Sequence, residues 1–98
     1  MLNPQDRAEA DIRRLAGDSV NVMMTNHAAD RLLERGYTMA QVIKCLVSGQ
    51  VIEGPVLDSE KGTGWKCIME VLAAGEWIRV ICKLMETKPG SIIVITVI

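Results

Sequence analysis

Thr25-Asn26-His27-Ala28-Ala29-Asp30-Arg31-Leu32-Leu33-Glu34-Arg35-Gly36-Tyr37-Thr38 is the stretch from which the rest of the chain can be read. It holds the only histidine and two arginines one helical turn apart. At about 100° of rotation per residue, Ala28, Ala29, Leu32 and Leu33 share one helix face. His27, Arg31 and Arg35 line the border of the opposite face, with Asp30 and Glu34 beyond them. Thr25 or Asn26 can cap the helix, because either side-chain oxygen can accept from an unpaired N–H of the first turn. Gly36 can end it by taking a left-handed conformation without Cβ strain.

Working outward, Thr38-x-x-Gln41 reads as a capping box. Met39, Val42, Ile43, Leu46 and Val47 follow at helical spacing until Ser48-Gly49. Two helices separated only by Gly36-Tyr37 predict a helical hairpin. Upstream, Val20–Met24 is β-prone and is expected to be a short strand. Residues 4–16 form an amphipathic pattern on Ala8, Ile12, Leu15 and Ala16, with Pro4 in the first turn. From residue 50 the period changes to two. Val51–Val56 is a strand, and Pro55 marks an edge or a strand end. Asp58–Gly64 is polar and Gly-rich and is expected to be a mobile loop. Trp65–Leu72 and Trp77–Met85 are strands joined by a turn at 73–76. In the second of these, Ile78, Val80, Cys82 and Leu84 share one face, and Arg79, Ile81 and Lys83 the other. Thr87-Lys88-Pro89-Gly90 turns the chain into Ser91–Ile98, whose β-branched run suits a central strand.

Helices in one block and strands in another predict one α+β domain over residues 1–98. It has an N-terminal helix within 1–19 and an α+β core over 20–98. The expected architecture is the N-terminal helix and the helical hairpin on one face of a three- to four-stranded antiparallel sheet. The other sheet face carries Arg79 and Lys83, with Lys66 and Glu70.

Composition limits the function classes. The chain has two Trp, one Tyr and no Phe, so its core must be aliphatic. A formal charge of -1 argues against strong non-specific nucleic-acid binding, which usually rests on excess Lys and Arg, but leaves room for a local basic patch. Cys45, Cys67 and Cys82 are odd in number and lack C-x-x-C spacing. A disulfide framework and a zinc site are therefore not expected, and a reducing cytoplasm fits. No signal peptide, membrane span or cofactor motif is recognisable.

The run Thr25-Asn26-His27-Ala28-x-x-Arg31-Leu32-x-x-Arg35-Gly36-Tyr37-Thr38, the later Gly49-x-Val51-Ile52-Glu53 and the closing Ile93-Val94-Ile95-Thr96-Val97 resemble a bacterial family, domain of unknown function 4258, over roughly residues 22–98. That family is similar in element order to RelE/ParE-like and BrnT-like toxins of toxin–antitoxin systems, many of them metal-independent ribonucleases. The resemblance implies a fold of that kind, RNA as substrate or ligand, and an antitoxin protein as partner.

The residues permit two readings. A metal-independent ribonuclease needs a base for the 2'-hydroxyl proton and an acid for the leaving oxygen, and a histidine can serve as either. On this reading His27 is the general acid/base. Arg31 and Arg35 clamp the phosphate, and Arg79 and Lys83 add phosphate contacts if they face the same cleft. On the plainer reading His27 is an ordinary first-turn residue, and Arg31 and Arg35 pair with Asp30, Glu34 or Glu53. The domain is then a non-catalytic protein–protein module, with a homodimer through helix 4–16 or an edge strand. The cysteines read as buried structural thiols. Gly62-Thr63-Gly64 lacks the strand–loop–helix context of a phosphate loop and reads as a connector. Trp65 and Trp77 read as half-buried residues at the sheet rim.

Overall fold

Each helix starts on a side chain that satisfies its first turn. Asn3 accepts from the Asp6 N–H (2.8 Å) ahead of α1 (Pro4–Ala16). Thr25, rather than Asn26, accepts from the Ala28 N–H (3.0 Å) ahead of α2 (Asn26–Arg35). Thr38 and Gln41 form the expected reciprocal box ahead of α3 (Met39–Ser48). Gly36 ends α2 at φ 71°, a left-handed conformation open to glycine at no steric cost.

The computed structural model describes residues 3–60, 62–86 and 90–98. Its strands are β1 (Val22–Met24), β2 (Gln50–Asp58), β3 (Gly64–Ala73), β4 (Glu76–Met85) and β5 (Ile92–Val97), in the sheet order β1-β5-β4-β3-β2. The expected turn at 87–90 falls largely outside the described residues. Beside it, Met85 N–H donates to Ser91 O at 3.1 Å.

The α+β class and the helices packed on one sheet face are as expected. The strand count and pairing are not. The sheet has five strands and is mixed: β2 to β5 are antiparallel neighbours, and β1 runs parallel to β5, with Val22 opposite Ile92 and Met24 opposite Val94. Parallel strands need a long crossover, and here that crossover is most of the chain. A three-residue strand carries too little alternation to declare such a partner. The expected strand over Val20–Met24 is also shortened. Asp18 accepts from the Val20 N–H and starts a 3-10 turn over Ser19–Asn21, which leaves Val20 exposed.

The core is aliphatic. Ile12 from α1, Ala28 and Leu32 from α2, and Val42 and Leu46 from α3 pack against Met69, Ile78, Val80, Ile92, Val94 and Val97 of the sheet. Leu33 and Ala29 depart from the expected apolar face of α2. Both are exposed, Leu33 at 82%. The reason is where α2 lies. Thr25 donates its N–H to Val94 O (3.1 Å) and its hydroxyl to Ile95 O (2.9 Å), and Arg31 Nε donates to Val97 O (3.3 Å). The helix therefore runs along the edge of β5 that β1 leaves uncovered, and only a narrow stripe of it faces the core. α3 lies instead over β3 and β4 and against α1, so the two consecutive helices have their main partners elsewhere than in each other.

α1 closes the other edge of the sheet. Its Glu9 accepts from Val51 N–H (2.8 Å), and Arg13 donates twice to Gly49 O (3.0 and 2.7 Å). Truncating Ile12, which is fully buried, is expected to cost about 2–5 kcal/mol in urea denaturation. Leu33→Ala is expected to stay within about 0.5 kcal/mol. A small loss for Ile12→Ala would show α1 to be an appendage rather than part of the core.

Candidate functional site

β1 pairs with the start of β5, the Thr25 hydrogen bonds to Val94 and Ile95 follow, and α2 begins. His27 is thereby held, exposed, in the first turn of α2 beside the sheet face that carries no helices. A cavity of about 240 Å³ opens at this point. His27 and Thr25 form one wall, Ile93 and Ile95 of β5 line it, and Lys66, Lys83, Asp58 and Glu60 complete it. The strand register explains the company. Lys66 lies opposite Lys83, and Lys83 opposite Ile93, so these side chains share a row across the open face.

The sequence-derived candidates are thus only partly brought together. Lys83 joins His27 in the cavity. It is not an open phosphate ligand, however: its side chain is 1% exposed. Its ammonium donates to Gly62 O (2.8 Å) and to Glu60 O, and Asp58 lies 3.9 Å away. Two carbonyls accept from the ammonium, and the Asp58 carboxylate adds an ion pair. The expected mobile loop after Asp58 is therefore pinned over the sheet by a lysine, although its Lys61 lies outside the described residues. Arg79 is on the same face but two alternations along β4, about 13 Å from Lys83. It donates to Glu70 at 2.6 Å, and so stays outside the cavity. Arg31 is partly buried and occupied, giving Nε to Val97 O and Nη1 to Glu34 at 3.3 Å. Arg35 is exposed at the far end of α2, about 12 Å from His27 along the helix axis.

Nothing in the sequence singles out Lys66 and Asp58 as site residues. Lys66 is 46% exposed on its side chain and 3.9 Å from Asp58, which is thus shared between two lysines. Alternation put Lys66 on the open face, but nothing in local spacing joins Asp58 to a lysine 25 residues later. Strand register alone does this.

The cysteines are buried, as expected. Cys45 lies on the core side of α3 with Val42 and Leu46. Burial, with Glu70 nearby, pushes its thiol up to about 12. Burial pushes Cys67 to about 11, and Cys82, opposite Cys67 in the register, well above its ordinary value. Protonated thiols are poor nucleophiles. Among the described residues no group of three or more His, Cys, Asp or Glu converges as a metal cage, and no helix is long and apolar enough to cross a membrane. Trp65 is 39% exposed at the rim and donates its indole N–H to Glu86 (2.7 Å), whereas Trp77 is 60% exposed, more than a half-buried rim residue.

Residues 24–98 match the family model described as Domain of unknown function (DUF4258). No curated protein and no solved structure matches the chain.

Two outcomes follow from this geometry. Lys83→Met strands the carbonyls of Glu60 and Gly62 and leaves Asp58 with one lysine. It is expected to cost about 1–3 kcal/mol in urea denaturation, whereas Arg35→Ala stays within about 0.5 kcal/mol. The thiols give an alkaline signature. The unfolded chain ionises them near 9.0, and the folded chain holds Cys67 and Cys45 protonated to about 11 and about 12. Their contribution is whole below pH 9.0. Above that it falls by up to about 1.4 kcal/mol per pH unit for each thiol. Urea midpoints measured across this range should decline, and decline less in a Cys67→Ala variant.

Proposed function

The chain belongs to the DUF4258 family, and from the chemistry gathered at the start of α2 we propose that it is a small toxin-like protein that binds RNA and cleaves it without a metal. The observation that supports this reading is that His27 shares one cavity with the exposed ammonium of Lys66. An imidazole and a cation on the walls of one cleft are the minimum for transphosphorylation. His27 takes the proton of a ribose 2'-hydroxyl, and that oxygen attacks the adjacent phosphorus. The bond to the 5'-oxygen breaks, and the products are a 2',3'-cyclic phosphate and a 5'-hydroxyl end. Lys66 sits against the charge that builds on the phosphate and is the donor in this wall for the leaving oxygen. The first turn of α2 adds a positive dipole end beside the same cavity. Arg31 acts from one turn on through the N–H groups that Val97 and Glu34 leave over. Arg35, further along, meets a neighbouring phosphate. Lys83 acts by holding the loop that forms the opposite wall. A toxin of this kind requires an antitoxin, and the cavity mouth is the surface such a partner has to cover.

One observation favours a second reading, a protein–protein interaction domain of the same fold without nuclease activity. Arg31, Arg79 and Lys83 are already engaged by Val97 and Glu34, by Glu70, and by the loop carbonyls. That leaves little free positive charge for a polyanion.

Single-stranded RNA incubated with the purified chain separates the two. The nuclease reading expects cleavage to cyclic-phosphate ends, a fall of about 10²–10⁴-fold in kcat for His27→Ala, and a fall in kcat for Lys66→Ala as well. RNA left intact by the wild-type chain across about pH 6–8, where an imidazole changes protonation, would defeat it in favour of the interaction domain.

A further inference from the structure

The sheet face turned away from the helices carries an unusual set of side chains. The register places Leu72 opposite Trp77, Ile68 opposite Ile81, and Val56 opposite Lys66 on this face. Leu72, Val56 and Trp77 are 53%, 56% and 60% exposed. An antiparallel sheet with one solvated face normally alternates to polar residues there. Here the run is apolar, interrupted by charges, and among the described residues only the loop pinned by Lys83 lies above it, at one end. Contiguous exposed apolar surface of this kind marks an interaction site.

We propose that this face docks a second copy of the same chain, sheet against sheet. Charge argues for self-association over a strongly charged partner. Asp58 and Lys83 offset each other beneath the loop, and the open part carries Glu53 and Glu70 against Lys66 and Arg79, and so is balanced. A polyanion gains little from a neutral face, whereas two copies bring equal numbers of acids and bases together. Size argues the same way. Strands about 4.8 Å apart and ten residues long give a face of roughly 600 Å² in projection, and two such faces, less the end under the loop, come to about 1,000 Å², the size of a weak, reversible interface. The contact is isologous, so each copy supplies the same Trp77 and Leu72 anchors. This is a different surface from helix 4–16 and from either sheet edge; Lys66 borders both it and the cavity beside His27, whereas Leu72 and Trp77 lie at the opposite end of the face.

Analytical ultracentrifugation of the full chain tests it. The expected result is a reversible monomer–dimer equilibrium with a micromolar dissociation constant. A Leu72→Lys, Trp77→Lys double variant should weaken it at least tenfold. Both side chains are more than half exposed, so the variant keeps its fold, which circular dichroism checks. Leu33→Lys, on the far side of α2, should leave the equilibrium unchanged. Acrylamide quenching of Trp77 in a Trp65→Phe background should fall as protein concentration rises. A monomer at every concentration up to ~1 mM overturns the proposal. So does a dimer that survives the double variant, or a Trp77 shielded by added RNA and not by protein concentration.

Discussion

Three residues hold this architecture in its particular form. Val22–Met24 pair in parallel with the start of β5, and everything that makes the site follows from that. The pairing ends at Thr25, whose N–H and hydroxyl continue the contact to Val94 and Ile95 while its side chain caps α2. The helix is thereby launched along β5 rather than out over the sheet, and its first turn lies beside the open face. His27 shares a cavity with the lysines of β3 and β4 because β1 is short. A longer β1 would carry the histidine past them.

A second constraint is the treatment of charge on the open face. A lysine at the middle of a sheet face is normally left to water. Lys83 is instead enclosed by two carbonyls and a carboxylate, which offsets the cost of removing an ammonium from solvent. The same contacts convert a polar, Gly-rich connector into a wall of the cavity. Arg79 and Glu70 neutralise each other a short way along. The face is therefore rich in ionisable groups but locally neutral: Lys66, 46% exposed on its side chain, also has Asp58 3.9 Å away. This distribution fits the acidic overall balance of the chain better than a broad basic patch would.

α1 lies outside the matched span of residues 24–98, yet it is no ornament. Ile12 is fully buried, and Glu9 and Arg13 satisfy backbone groups where α3 passes into β2. Its pattern in the sequence is thin, with Ala8, Ile12 and Ala16 as the buried contacts. Small residues let the helix approach the sheet edge closely, so few of them suffice.

What the sequence by itself determined is local. A cap at Thr25 or Asn26 and one at Thr38, the left-handed stop at Gly36, the change from helical to alternating period at residue 50 and the faces of β3 and β4 all follow from interactions within a few residues. Each could be read from spacing and side-chain type. The outline of the candidate site was legible only as placement: His27 with Arg31 and Arg35 as a helical ridge, and Arg79 and Lys83 on the open face. Only the tertiary structure decided which of these meet. The parallel partner of β1, the edge position of α2, the exposure of Leu33, the capture of Lys83 by the loop and the entry of Asp58 and Lys66 into the cavity all depend on contacts between segments far apart in the chain. Such contacts leave no period behind. A register that sets Lys66 opposite Lys83 is settled by whole faces packing at once, and no single residue records it.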